Sequence, residues 1–60
     1  MDALLLTPEE AADALRIGRA KVYDLMRNDA LRSIKIGGSR RIPRSALEEY
    51  VAGLLDREPA

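Results

Sequence analysis

Two amphipathic helical segments joined by only three residues set the strongest limit on how this chain can fold. Thr7 is followed by Pro8 and, three positions on, by Glu10. In this pattern a threonine caps a helix, a proline takes its first position and a glutamate closes a capping box. It predicts a first helix over residues 8–15. A second helix is predicted over residues 19 to about 28, because apolar side chains recur there at helical spacing. They are Val22, Leu25 and Met26.

The joint between these helices, residues 16–18, contains a glycine. Gly18 can take a backbone conformation closed to other residues, or it can serve as a small N-cap for the second helix. Asn28 and Asp29 tolerate left-handed backbone and are expected to end that helix. Two short helices with a three-residue turn containing glycine predict a helix-turn-helix.

A β-hairpin is predicted after the second helix. Residues 34–36 alternate apolar and polar side chains, and residues 40–42 do so more loosely, with the turn formers of residues 37–39 between them. Pro43 is expected to end the second strand. Strands this short must lie against the helices to be stable.

A last helix is predicted from a cap at about Ser45 to residue 55, followed by a frayed tail over residues 56–60. The predicted fold class is therefore mainly α with a small β-hairpin, a winged helix-turn-helix of three helices and a two-stranded wing. We expect residues 1–60 to form a single domain, with its core within about residues 4–55.

The predicted core uses nearly all the large apolar residues. It comprises Leu6, Ala11, Leu15, Ile17, Val22, Leu25, Met26, Leu31, Ile34, Ile36, Ile42, Leu47, Tyr50, Val51 and Leu54. Since little is left to line a ligand pocket, we do not expect a small-molecule enzyme or a cofactor. The absence of Cys and His excludes zinc fingers, thiol redox chemistry and catalysis by those side chains. With no membrane-length apolar run and no signal-peptide pattern, the cytoplasm is the expected location.

The distribution of charge is more informative than its sum. Ten basic and ten acidic residues cancel, but residues 16–44 hold nine bases and two acids, a net charge of +7, between acidic flanks. This placement predicts one positive face of the kind that binds a phosphate backbone. Ordinary solvated charges would give the same count, so that alternative stays open.

In a helix-turn-helix, the N-terminal residues of the second helix meet base edges in the major groove. The predicted base-reading residues are Arg19, Ala20, Lys21 and Asp24. Arg19 is the strongest candidate, because arginine forms a bidentate pair with guanine. Asp24 would repel phosphates unless it accepts from a cytosine amine or is neutralised by Arg27 at i+3. Tyr23 and Arg27 are better placed for phosphates, although Tyr23 can also be a half-buried core residue whose hydroxyl reaches solvent.

The predicted hairpin is a second candidate for DNA contact. Its candidate residues are Lys35, Ser39, Arg40 and Arg41. The glycines at the tip allow close approach of the backbone, and the three cations can straddle phosphates or enter a minor groove. The alternative is a solvated edge protected from aggregation by its charge.

Four segments carry a resemblance to a known family. They are residues 5–12 (LLTPEEAA), 17–27 (IGRAKVYDLMR), 34–37 (IKIG) and 41–50, which contains RIPR and LEEY. Over about residues 4–54 the chain resembles the excisionase-type winged helix-turn-helix domains, relatives of the MerR DNA-binding domain. Family members of this length resemble phage or integrative-element excisionases, or recombination directionality factors. These bind repeated DNA sites cooperatively, bend DNA and steer a tyrosine integrase towards excision, while other members regulate transcription.

The resemblance also implies site residues. The family's DNA-facing positions fall on Arg19, Lys21, Tyr23, Arg27, Arg40 and Arg41. The chain departs from the family pattern with Arg16 for the glycine of the turn, Gly18 for a polar cap, Asp24 for a frequent base, Asp29 for the glycine after the second helix and Arg40 for a wing aromatic. These departures imply a different target sequence.

The function implied by the resemblance is sequence-specific DNA binding as an excisionase. Its expected partners are double-stranded DNA, neighbouring copies of the chain and a tyrosine integrase, with the acidic first and third helices available for the protein contacts. A small transcriptional regulator of the same fold is one alternative. Another is a protein-interaction module resembling an antitoxin, which the zero net charge and acidic flanks favour.

Overall fold

A computed structural model describes residues 3–57, which form three helices and three short strands. In chain order these are β1 (Leu5–Leu6), α1 (Pro8–Leu15), α2 (Arg19–Arg27), β2 (Ile34–Ile36), β3 (Ser39–Pro43) and α3 (Arg44–Arg57). The arrangement confirms the predicted fold class, a mainly helical winged helix-turn-helix. Predictions for residues 1, 2 and 58–60 fall outside the described residues.

The start of α1 is fixed by side chains close in sequence. The Glu10 amide donates to Thr7 Oγ1 at 3.1 Å, and the Thr7 amide donates to Glu10 Oε1 at 2.9 Å. Two amide groups that the helix itself leaves without partners are thus satisfied, with Pro8 at the first helical position. The capping box and both predicted ends of α1 are confirmed.

The helix-turn-helix joint is built on Arg16 rather than on Gly18. Arg16 has a left-handed backbone (φ 61°, ψ 41°), and its amide donates to Asp13 O at 3.2 Å. The Ile17 amide donates to Ala12 O at 3.0 Å, which completes a Schellman motif. Gly18 is an extended N-cap of α2, so the expectation of an unusual conformation there is wrong and the N-cap alternative is correct.

The end of α2 repeats the same motif one helix later. Asp29 is left-handed at φ 58°, and its amide donates to Met26 O at 3.2 Å. The Ala30 amide donates to Leu25 O at 2.9 Å. Arg16 and Asp29 thus stand in conformations that favour glycine. Both are positions at which the chain departs from the family's glycines.

The wing belongs to a three-stranded antiparallel sheet in the order β1-β3-β2. The sequence predicted only its hairpin. β1 is added through the pairing of Leu5 with Pro43 and of Leu6 with Ile42, and the Arg44 amide donates to Leu4 O at 2.9 Å. The tip is also tighter than predicted.

The hairpin turn contains two residues instead of three. Ser39 pairs with Ile36 at the start of β3, which leaves Gly37 and Gly38 to make the turn. Gly37 has a φ of 62°, a left-handed conformation that a two-residue hairpin turn requires.

The core lies where α1, α2 and α3 meet β3. Its buried residues among residues 3–57 are Ala11, Ala12, Val22, Leu31, Ile42, Ala46 and Leu47. Leu6, Leu15, Ile17, Leu25, Met26 and Tyr50 are partly buried against them. Ile42 is fully buried at the centre of the sheet, and both α1 and α3 pack against its strand.

Four residues predicted for the core are exposed instead. They are Ile34, Ile36, Val51 and Leu54, with exposed fractions of 40–52%. β2 packs extensively against β3 but not against any of the described helices to a comparable extent, so its isoleucines are left largely uncovered. The far end of α3 extends past the sheet and is likewise left uncovered.

The bounds of α3 differ from the prediction at both ends. The helix begins at Arg44, directly after Pro43, so the predicted cap at Ser45 is wrong and Ser45 lies inside the first turn. It continues to Arg57, which places Asp56 and Arg57 in the helix rather than in a frayed tail.

Candidate nucleic-acid interface

Helix α2 turns its apolar face inward and its charged face to solvent. Val22 is fully buried, while Leu25 and Met26 are partly buried against the core. The predicted base-reading residues are all exposed. Arg19 stands at the open N-terminal end of the helix, where Gly18 places no side chain in front of it.

The carboxylate of Asp24 forms an ion pair within α2. Arg27 Nη1 lies 3.2 Å from Asp24 Oδ1, the i+3 pair that the sequence predicts. Both side chains are well exposed. Asp24 is therefore part of an ion pair within α2 rather than an isolated negative charge.

The C-terminal half of α2 faces the wing across a shallow groove of about 390 Å³. Tyr23 and Arg27 line it from the helix, and Arg40 lines it from β3. Tyr23 is 40% exposed and, within residues 3–57, is not among the residues packed against the core, so the alternative of a half-buried core residue is not supported. Residues far apart in the sequence thus form one surface.

A second depression adjoins the first and shares Tyr23 and Arg40 with it. Ser39 and Arg41 line it from β3, and Glu9 lines it from α1. It is an open surface of about 290 Å³, suited to a molecular edge such as a sugar-phosphate chain rather than to an enclosed ligand.

The guanidinium groups of the two arginines on β3 each donate a hydrogen bond to a nearby oxygen. Arg40 Nη1 donates to Ser33 Oγ at 3.4 Å, and Arg41 Nη1 donates to Arg40 O at 2.9 Å. Lys35 pairs with Arg40 across the hairpin. Like charges directly opposite each other destabilise a ladder. β2 and β3 contain no acidic residue to relieve this repulsion, whereas a bound phosphate would.

Not every candidate joins this surface. Tyr23, Arg27, Ser39, Arg40 and Arg41 are brought together around the two depressions. Lys35 lies on the outer strand and lines neither of them. The exposed residues at the N-terminal end of α2 form a separate patch, as expected if they enter a groove while the wing lies beside it.

Glu9 contacts two candidate residues and is not itself predicted from the sequence as part of the site. Its Oε2 lies 3.9 Å from Arg19 Nη1 and accepts from the Tyr23 hydroxyl at 3.5 Å. An acid in the first turn of a helix interacts favourably with the helix dipole, so the sequence indicates an ordinary role for Glu9 in α1. Its contact with α2 arises only when the two helices pack, and no local pattern in the sequence signals it. A carboxylate thus lies between the strongest base-reading candidate and the wing.

Ser33 was missed as well, because it lies in the loop before β2, outside any predicted element. Within residues 3–57 no three side chains of metal-binding type come together. No helix in that range is both long enough and apolar enough to cross a membrane.

Comparison with known proteins agrees with this geometry. The helix-turn-helix domain family matches residues 5–54. A probable excisionase of Saccharopolyspora erythraea is 46% identical over 57 residues, which are 95% of this chain and 58% of that protein. An excisionase of Streptomyces ambofaciens is 49% identical over 47 residues, 78% of this chain and 76% of that protein. The chain thus spans little more than half of the first relative. No solved structure matches it.

Proposed function

Because the chain belongs to the excisionase-type helix-turn-helix family, we propose that it acts as an excisionase, a non-enzymatic protein that directs site-specific recombination by binding DNA. The observation that carries the proposal is the convergence of Tyr23 and Arg27 with Arg40 on one surface beside the exposed end of α2. That surface belongs to the segment with a net charge of +7. A phosphate backbone is the partner that such a surface complements.

In the proposed complex, α2 lies in the major groove and the hairpin lies beside it. The base edges are contacted by Arg19, Ala20, Lys21 and Asp24. The phosphates and sugars are contacted by Tyr23, Arg27, Lys35, Ser39, Arg40 and Arg41. This division separates specificity, which comes from the end of α2, from affinity, which comes mainly from the groove and the wing.

The size of the interface supports a cooperative mode of action. A single module of this kind buries only about 600–1,000 Å² of protein surface on DNA. We therefore propose that neighbouring copies load onto repeated sites, bend the DNA and direct a tyrosine integrase towards excision. We also propose that residues 1–60 act as one domain, because α1, α2, β3 and α3 contribute residues to a single core. We further propose that the chain acts in the cytoplasm, where its DNA partner would be.

The proposal is tested by titrating the purified chain onto labelled DNA from its own genomic neighbourhood at two salt concentrations. A salt-sensitive ladder of successive complexes is the expected result, because each added copy releases counterions. A single complex without a ladder contradicts cooperative loading. No preference over random DNA at low salt contradicts sequence-specific DNA binding and favours the protein-interaction module.

A recombination assay separates an excisionase from a transcriptional regulator that binds the same DNA. Adding the chain to a purified integrase and its attachment-site DNA is expected to raise the yield of excised product. If DNA binds but the yield does not change, the regulator is the better description.

The role of Arg19 is tested by Arg19→Ala, with Arg57→Ala as a control at the far end of α3. A bidentate arginine–guanine pair contributes about 1–3 kcal/mol of discrimination. Arg19→Ala should therefore reduce the preference for the cognate site about 5-fold to 150-fold and reduce affinity for random DNA much less. Arg57→Ala should leave both unchanged. Equal losses on the two DNAs with Arg19→Ala would contradict base reading.

A further inference from the structure

A groove between α1 and α3 is lined by none of the residues proposed to contact DNA. α1 and α3 each pack against β3, which leaves a channel between the two helices. One part, of about 400 Å³, is lined by Ala14 and Leu15 of α1 and by Leu47, Glu48, Val51, Ala52 and Leu55 of α3. A second part, of about 270 Å³, is lined by Ala3, Leu6, Glu10, Asp13 and Arg44.

Residues close in sequence line the two parts. On α1, Asp13 of one part is followed by Ala14 of the other, and on α3, Arg44 precedes Leu47 by one turn. The part of about 400 Å³ is lined mainly by apolar side chains, and one of them, Leu55, is 70% exposed. Exposed leucine and valine at helical spacing form the kind of groove that receives the apolar face of another helix.

The charged residues around the groove indicate what kind of helix fits. Three acids, Glu10, Asp13 and Glu48, line it together with a single base, Arg44. A net negative rim disfavours an acidic partner and favours one that carries lysine or arginine beside its apolar stripe.

A second copy of the chain fits less well. A symmetric dimer through this groove would place the same acidic rim on both sides of the interface, where like charges repel. The basic surface of a second copy is the surface assigned above to DNA. The complementary partner is therefore a different protein.

We propose that the groove between α1 and α3 binds an amphipathic helix of another protein, with an apolar stripe flanked by lysine or arginine. This interaction is independent of DNA binding, since none of the groove residues belongs to the proposed DNA-contacting set. The groove thus allows the chain to hold DNA on one side and a protein helix on the other.

The probe is a labelled synthetic helix of about four turns, similar in length to the 14-residue α3, with leucines on one face and lysines on both flanks. Fluorescence anisotropy with the full chain is expected to detect binding. An isomer with glutamates in place of the lysines should bind at least tenfold more weakly. Equal binding of the two isomers, or no binding of the lysine peptide, overturns the proposal.

Variants locate the binding site. Leu55→Glu and Val51→Glu should each lower the affinity for the lysine peptide at least tenfold, because each removes apolar contact inside the groove. Leu4→Glu is the matched control, since Leu4 is 76% exposed and lies outside the groove, and it should bind as the wild type does. Equal effects of all three variants would contradict the assigned site.

Two further measurements distinguish loss of the binding site from unfolding of the variant and from dimerisation through the groove. Leu55→Glu should retain wild-type DNA affinity and a wild-type circular dichroism spectrum, which shows that the fold is intact. Sedimentation should find the wild-type chain monomeric without DNA. A dimer that Leu55→Glu disperses would show that a second copy occupies the groove and would overturn the proposal without affecting the DNA-binding function.

Discussion

Neutralising Glu9 is expected to strengthen DNA binding while making it less selective. In the DNA-free protein, one carboxylate oxygen lies 3.9 Å from Arg19 Nη1 and accepts from the Tyr23 hydroxyl at 3.5 Å. In the proposed complex, DNA phosphates approach this negative charge. We propose that the same contact restrains the Arg19 side chain in an orientation that suits a base edge.

The expected change in DNA affinity follows from how exposed the two side chains are. The side chains of Arg19 and Glu9 are 68% and 55% exposed, so solvent screens their attraction strongly. Exposed ion pairs contribute about 0.2–1 kcal/mol. Glu9→Gln should therefore raise affinity for random DNA about 1.4-fold to fivefold. Affinity for the cognate site should rise less, because Arg19 gains a phosphate contact there but loses its fixed orientation.

The matched control is Asp13→Asn, which removes one negative charge from the same helix without touching a residue of α2. Fluorescence anisotropy on cognate and random duplexes at about 0.1 M salt measures both variants, at an ionic strength where charges more than about 10 Å apart are largely screened. A thermal melt checks that each variant is folded. If the two variants change affinity equally, net charge alone explains the effect and the contact made by Glu9 has no role.

Three further changes test other parts of the structure. Replacing both Arg40 and Arg41 with alanine should weaken binding to every sequence and flatten the salt slope by about two units, whereas an unchanged slope would remove the wing from the interface. Thr7→Ala should cost about 1 kcal/mol of unfolding free energy and lower Tm by about 4–8 °C in calorimetry, and no change would mean that the capping box contributes nothing. Arg16→Gly should raise the unfolding free energy by about 1 kcal/mol in urea titrations, since it relieves a left-handed side chain, and a loss of stability would refute that account.

Local signals explain what could be predicted of the fold. Both ends of α1 were predicted correctly, because a threonine cap and a proline act within one turn of the residues they organise. β1 has no such signal. Leu5 and Leu6 become a strand only because β3 lies beside them, and β3 comes from the other half of the chain. Pairing between distant segments cannot be detected from periodicity within a short window.

The helical spacing of apolar residues in α3 predicts the helix correctly but does not predict how much of its apolar face is buried. Val51 and Leu54 do share a face with the buried Leu47, yet they are 41% and 40% exposed, so that face is not covered along its whole length. A pattern of apolar residues shows which side of a helix avoids water and says nothing about how far its neighbour extends.

In the candidate site too, contacts within one helical turn can be predicted from the sequence, whereas contacts between elements cannot. The pairing of Asp24 with Arg27 was predictable, because it is contained in one helical turn. The approach of Glu9 to Tyr23 and of Ser33 to Arg40 depends on packing between elements. The candidate residues could be found from the sequence by type and spacing, but the partners that orient them required the fold.

The pairing of β1 with β3 also has a consequence for the order in which the protein assembles. α1, its turn and α2 are contiguous and can form from contacts between near neighbours, and the hairpin closes through a two-residue turn. Joining Leu5 to Pro43 requires closure of a loop that contains both of these units. Because closing a long loop costs more entropy than closing a short one, we expect this pairing to form last. The Arg44 amide, which donates to Leu4 O, should accordingly be among the backbone groups that exchange with solvent until the final step of folding.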